Sequence, residues 1–196
     1  MIIYLDTETT GLYPGQICQL SYIIQDGYKV VAKNYFFSVD YVEPGAQMVH
    51  GFSVEKLDKL SNGKDFSCFI DEIERDILNA DLVIAHNSQF DFNFLGKEFE
   101  RCRREFFVKQ SFCSMKGMTA VCKLPKTRGL GYKYPKLSEL TAYLGVSDKD
   151  VEENTVKLYG NTVGYHDARF DTVALYTALN KGMQNIGVLK GLKDFL

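Results

Sequence analysis

The sequence predicts a single mixed α/β domain, and three observations carry that expectation. β-rich runs open the chain: Ile2 to Gly11, Ile17 to Gln25 and Lys29 to Val39 follow one another, with Asp26-Gly27 marking a hairpin between the last two. From Phe66 the apolar spacing changes to that of a helix, with Phe66, Phe69, Ile70, Ile73, Ile77 and Leu78 three and four apart. Between helical stretches lies Asp81-Leu82-Val83-Ile84-Ala85-His86, short and apolar enough to be a buried strand. Strands first, then helix alternating with strand, give a mixed α/β or α+β layering. The whole of 1–196 is expected to be one domain, because 45% hydrophobic composition fills a sizeable core and no repeat, low-complexity tract or linker interrupts it.

The first strand is the unusual element. Alternation puts Ile2, Tyr4, Asp6 and Glu8 on one face and Ile3, Leu5 and Thr7 on the other, so two carboxylates continue an apolar row. Such a strand reads as buried on both faces. Two like charges a few ångströms apart there cost several kcal/mol at an effective dielectric of about 20 unless a positive charge sits between them, and a divalent cation is the obvious candidate. Solvated acids at a hairpin end are the plainer account. Thr9-Thr10-Gly11 ends the strand in a turn that lets backbone approach a ligand.

The three strands suggest an antiparallel meander. Val42 to Phe52, with Pro44-Gly45, reads as an irregular connection, and Ser53 as the cap of a short helix carrying Val54 and Leu57. The run from Phe66 makes an amphipathic helix of about three turns. Asn87-Ser88 is a turn and cap into a helix from about Phe90 to Arg104, and two further helices span Leu137 to Leu144 and Ala168 to Met183.

Composition excludes several function classes. A net charge of −2 and a pI near 5.9 do not suit a protein that coats long nucleic acid, although an end or short segment of one remains open. Five cysteines, odd in number and without a C-x-x-C pair, argue against a disulfide framework and a structural zinc site. No apolar run approaches a membrane span and no basic leader precedes the first strand, so a cytoplasmic protein without a membrane partner is expected.

Two more acids fall where burial is expected. From Asp91, steps of three, four and eight reach Phe94, Leu95 and Phe99, placing the carboxylate on the apolar face of its helix. Asp171 shares a face with Ala168, Ala174, Leu175, Ala178 and Leu179. His166, five residues earlier, lies about 140° around a helix from Asp171 and belongs to the lead-in. Asp167 reads as the helix cap, and His86, at a strand end, as a structural hydrogen-bonder. If Asp6, Glu8, Asp91 and Asp171 converge, their charge of about −4 matches two divalent cations, and hard oxygen ligands suit Mg²⁺ or Mn²⁺. No lysine or arginine shares their faces at helical spacing.

Three stretches then carry a family resemblance: Leu5-Asp6-Thr7-Glu8-Thr9-Thr10-Gly11-Leu12, Ala85-His86-Asn87-Ser88-Gln89-Phe90-Asp91 through Phe94-Leu95, and His166-Asp167-Ala168-Arg169-Phe170-Asp171. In order and spacing the chain resembles the DEDD-superfamily 3′–5′ exonucleases of the histidine-containing subgroup, which include the proofreading exonuclease subunits of bacterial DNA polymerase III. Val49-His50-Gly51-Phe52 is a fourth shared feature. The glutamate often found five residues before that histidine is here Gly45.

The resemblance implies a ribonuclease H-like fold, a mixed five-stranded sheet flanked by helices, with the metal site near the ends of the central strands. It implies that Asp6 bridges two metals, that Glu8 and Asp171 complete the first, that Asp91 holds the second, and that His166 is the general base, a task suited to the side chain that titrates nearest neutral pH. Thr9, Thr10, Leu12, His50, Asn87 and Phe90 are the implied contacts of the terminal nucleotide. The implied partner is a nucleic acid 3′ end, DNA before RNA, with a DNA polymerase as a further partner. An RNA-trimming member of the superfamily and an inactive end-binding or polymerase-binding module are the alternatives.

Lys123 to Lys136 offers five cations, Lys123, Lys126, Arg128, Lys133 and Lys136, interleaved with Tyr132 and Tyr134 and broken by Pro125, Gly129 and Gly131. Phosphate contact with base stacking suits that composition. A solvated loop joining two helices is the alternative. Arg101, Arg103 and Arg104 are explained by the dipole of the preceding helix.

Overall fold

The computed structural model describes residues 1–13 and 15–196. Its sheet has five strands, β1 (Ile2–Thr9), β2 (Ile17–Asp26), β3 (Lys29–Phe36), β4 (Leu82–Ala85) and β5 (Ser111–Cys113), in the order β3-β2-β1-β4-β5. β1 to β3 form the expected antiparallel meander. β4 adds parallel to β1 on its other side, and β5 parallel to β4. The sheet is therefore mixed, with β1 at its centre. The helices are α1 (Pro44–His50), α2 (Val54–Ser61), α3 (Ile70–Asn79), α4 (Ser88–Arg101), α5 (Ser114–Cys122), α6 (Leu137–Tyr143), α7 (Asp148–Tyr159), α8 (Ala168–Gly182) and α9 (Gly187–Lys190).

The alternation of β1 divides the core. Ile2 and Tyr4 pack with Ile84 against Phe170, Ala174 and Leu175 of α8. Ile3 and Leu5 pack with Val83 against Ile73 of α3 and Phe94 and Leu95 of α4. Both faces are covered, as the apolar run of β1 requires. Because β4 runs parallel to β1, the chain leaves it at the same end of the sheet as β1, and α4 starts there. Carboxyl ends of adjacent parallel strands are where such folds build ligand sites.

The chain is less irregular than its sequence suggests. Val42 to Phe52, expected as a connection, contains α1, with Pro44 at its start and Gly51 closing it at φ 72. Proline suits a first helical turn and glycine a left-handed close, so Pro44-Gly45, which read as a break, opens a helix that Gly51 closes. α5 and α7 were not expected. α7 buries only Val151 and Thr155 and so shows little apolar period. The helix from Phe66 is a 3₁₀ turn, Phe66–Cys68, followed by α3, and Leu78 faces solvent. α4 begins at Ser88 and ends at Arg101, before the expected Arg104; Asn87 starts it without a side-chain cap. Arg101 and Arg104 make ion pairs with Glu98 and with Asp71 and Glu74, more specific bonds than the dipole effect expected of them. β3 stops at Phe36, short of Val39. Among the described residues no helix is long and apolar enough to cross a membrane.

Candidate active site

The site lies at the end of β1. Asp6 and Glu8 stand on the α8 side of the strand, and one carboxylate oxygen from each and from Asp171, in the first turn of α8, lie within 4.8 Å of one another. Thr7 points to the opposite side, where its hydroxyl donates to Asp91 Oδ1 at 2.8 Å. The site therefore straddles the sheet, with α8 delivering one acid from one face and α4 another from the other. Asp6, Glu8, Asp91 and Asp171 all line one cavity of about 700 Å³, together with His166 and Asn87.

Each carboxylate is held by the local fold. The pairing of β1 with β2 slips between Glu8 and Thr9, Glu8 opposing Gln19 and Thr9 opposing Ile17. Such an irregularity re-aims side chains at a strand end. Gln19 sits below it, fully buried, donating to Asp167 Oδ1 at 2.9 Å and accepting from the Ala168 amide at 3.1 Å. Asp167 caps α8 through the Arg169 amide and pairs with the Arg169 guanidinium at 2.7 Å. Its cap role is as expected; the sequence does not show that β2 grips α8 through Gln19.

The electrostatics are those of an uncompensated acid cluster. Burial pushes Glu8 up to about 8, with Asp171, Asp167 and Asp91 adding to it. Burial pushes Asp91 up to about 7 against the opposing hydrogen bond from Thr7. Asp171 also rises to about 7 by burial, although the His166 backbone N–H, 3.2 Å from Oδ2, favours its charged form. Asp6 lies well above the carboxylate range, first through burial and then through Asp171, Asp91 and Glu8. Asp167 goes the other way: its burial is outweighed by Arg169 and Gln19. Among the described residues no lysine, arginine or histidine makes a salt bridge with Asp6, Glu8, Asp91 or Asp171. Four hard oxygen donors without a protein cation fit divalent metal ions.

His166 is exposed on the lead-in to α8, at φ 62, a left-handed conformation uncommon for a side-chain-bearing residue. Its neighbour Tyr165 anchors the segment, packing on Phe170 with ring centroids 4.6 Å apart and donating to Asp148 Oδ1 at 2.5 Å. His86 is structural, as expected: its ring nitrogens reach Ser114 Oγ at 2.9 Å and the Pro135 carbonyl at 3.0 Å.

A second cavity of about 350 Å³ adjoins the first and shares Thr7, Glu8 and Phe90 with it. Thr9, Leu12 and His50 line it, with Val49 of the fourth shared stretch and with Glu43, which the sequence did not single out. Glu43 lies against the turn, close enough that a Cβ on Gly11 would clash with its carboxylate. The His50 ring is committed to backbone: Nε2 lies 3.2 Å from the Thr9 carbonyl and Nδ1 accepts from the Phe52 amide at 3.1 Å. Thr10 departs from expectation by lining neither cavity. Its hydroxyl instead accepts from the Gln16 amide at 3.0 Å and braces the turn.

A mixed sheet of this order, with clustered acids at the end of its central strand and a histidine on the helix lead-in, defines a ribonuclease H-like nuclease domain. The RNase T family pattern, described as exonuclease, matches residues 3–150, and the chain belongs to that family. It is 33% identical over 132 residues to the epsilon subunit of DNA polymerase III of Escherichia coli and 32% identical to that of Salmonella typhimurium, matching 62% of this chain and 52% of each relative. The chain spans about half the length of these curated relatives. A zinc-bound crystal structure of the Escherichia coli ExoI–ssDNA complex shares the fold at TM-score 0.70 and 16% identity, over 98% of this chain and 42% of that one. The metal-free form of the same complex superposes with TM-score 0.69.

Proposed function

We propose that this chain is a metal-dependent 3′–5′ exonuclease that releases nucleoside monophosphates from the 3′ end of single-stranded or frayed DNA. The observation that carries the reading is the convergence of Asp6, Glu8 and Asp171 within 4.8 Å, with Asp91 across the same cavity. Asp6, Glu8 and Asp171 would hold one Mg²⁺ or Mn²⁺ ion, and Asp6 with Asp91 a second. Such a pair, when bound, acidifies water toward neutral pH and offsets charge on the attacking and departing oxygens.

The chain's own groups do the positioning. Thr7 orients Asp91, and Gln19 fixes the start of α8 and so the placement of Asp171. His166, tethered to Asp171 through its backbone N–H, takes the proton of the attacking water at its imidazole. Leu12, Val49 and Phe90 give the second cavity apolar walls for the terminal base, while His50 holds the Thr9 carbonyl behind it. Asn87, in the wall of the first cavity, would contact the scissile nucleotide. Because the curated relatives are polymerase subunits by name, a DNA polymerase partner belongs to the same proposal.

The test is a time course on 5′-labelled DNA and RNA strands of one sequence, with Mg²⁺, with Mn²⁺ and with chelator. A ladder shortening from the 3′ end only with metal, faster on DNA, is expected. Faster shortening of RNA would transfer the reading to an RNA-trimming enzyme. No ladder with either polymer would defeat it in favour of an end-binding module.

A further inference from the structure

Residues 123–136 form neither a plain connection nor a uniform basic loop. The Lys133 amide donates to the Leu124 carbonyl at 2.9 Å, the Lys126 amide to the Gly131 carbonyl at 3.3 Å, and Pro125 bridges Tyr132, so the segment folds back as a short hairpin arm. Gly129 and Gly131, at φ 80 and 93, turn its tip. Only one of its five cations is spent within the chain: Lys133 pairs with Glu139 at 2.5 Å, while among the described residues Lys123, Lys126, Arg128 and Lys136 have no acidic partner. Tyr132 and Tyr134 are 46% and 57% exposed, poor burial for two aromatic rings unless something stacks on them.

The root of the arm is fixed to the acid site. His86, at the end of β4, donates through Nε2 to the Pro135 carbonyl at 3.0 Å, and the next residues, Lys136, Leu137 and Ser138, form a wall of the larger cavity. They do not line the smaller one. Three zones therefore adjoin one another in turn. The smaller apolar cavity meets the larger through Thr7, Glu8 and Phe90, and the larger opens at Lys136 onto the arm. A chain of net charge −2 that keeps four unpaired cations on one projecting segment beside its acid cluster has concentrated its attraction for a polyanion there.

We infer that the 123–136 arm is a strand-tracking surface for single-stranded nucleic acid, holding phosphates on the 5′ side of the scissile bond with Lys123, Lys126, Arg128 and Lys136 and stacking bases on Tyr132 and Tyr134. The inference rests on the exonuclease reading for its polarity. With a terminal nucleotide in the smaller cavity and a scissile phosphate over the acids, the Lys136 wall, which does not line the smaller cavity, is the side on which the 5′ strand meets the arm. Lys133 contributes no phosphate contact, since Glu139 holds it.

Binding of a fluorescent trinucleotide and of a longer strand is followed against salt in chelator, for wild type and for the triple variant Lys123→Gln, Lys126→Gln, Arg128→Gln. Each phosphate neutralised on a single strand contributes about 0.7 to the salt slope, so the variant's slope on the longer strand should flatten by about 2. Its slope on the trinucleotide should not change. In a second measurement, a photoreactive base several nucleotides from the 3′ end should crosslink to peptide 123–136, and one at the 3′ terminus should not. An unchanged slope on the longer strand, equal flattening on both lengths, or crosslinking of the arm to the terminal base would each overturn the inference. Binding is read without metal, so a wild type that binds in this way but never hydrolyses would defeat the exonuclease reading and support the arm.

Discussion

Replacing Asp91 by asparagine should stabilise the metal-free protein. The side chain is 2% exposed, and burial lifts its acid from 3.8 to about 7. A carboxyl with a raised folded pKa binds a proton in the native state that the unfolded chain has already released, so stability falls as pH rises from about 4 to about 7 and then stays low. At about 1.4 kcal/mol per tenfold, this one group costs the metal-free fold up to about 4 kcal/mol above pH 7, of which about 2.5 kcal/mol develops between about pH 5 and pH 8. Asparagine keeps an oxygen for the Thr7 hydroxyl and removes the charge. In chelator at about pH 8 its Tm should exceed wild type by up to about 10 °C, with a smaller gain at about pH 5. Saturating Mn²⁺ should narrow the gap at about pH 8, since a ligand at about a hundred times its Kd adds about 2.7 kcal/mol to a protein that binds it and the variant has lost a ligand. Melting curves in the four conditions decide the matter. A wild-type Tm in chelator that is flat between these pH values, with a variant no more stable, would refute the claim that Asp91 is buried and uncompensated.

Asp171→Asn should lower hydrolysis by about a thousandfold or more, because the lost charge anchors several kcal/mol of transition-state stabilisation, while circular dichroism shows the fold intact. His166→Ala should lower kcat by about a hundredfold to ten-thousandfold and leave Mn²⁺ binding by calorimetry unchanged; a variant that turns over normally would remove the proton-acceptor role. Gly182→Ala should cost about 1–3 kcal/mol in urea denaturation without touching the site, because a Cβ there would lie 2.5 Å from Leu189 Cδ1 and 3.1 Å from Leu144 Cδ2.

The acids were legible in the sequence for a simple reason: on β1, α4 and α8 they interrupt apolar periods, and a carboxylate in an apolar row stands out in one dimension. What supports them does not. Thr7 and Gln19 are ordinary strand residues whose partners, Asp91 and Asp167, lie 84 and 148 positions away. Glu43 and Val49 join the second cavity only because α1 exists, and α1 was hidden by Pro44-Gly45 in its first turn. β5, at three residues, is too short to show a period. For the arm, composition revealed the charges, but only the Lys133–Glu139 pair reveals which of them is spent.

The central place of β1 also divides the site by rate. Its first half, Ile2 to Leu5, lies between β2 and β4, with helices on both faces, so amide protons there, on the strand that leads into Asp6 and Thr7, should exchange with solvent only when the domain opens globally. His166 lies on an exposed turn outside the sheet, held to the cluster by a single 3.2 Å backbone bond, and should exchange through local opening alone. The acid cradle and His166 thus belong to units of different opening free energy, and the histidine can come and go without the carboxylates losing their arrangement.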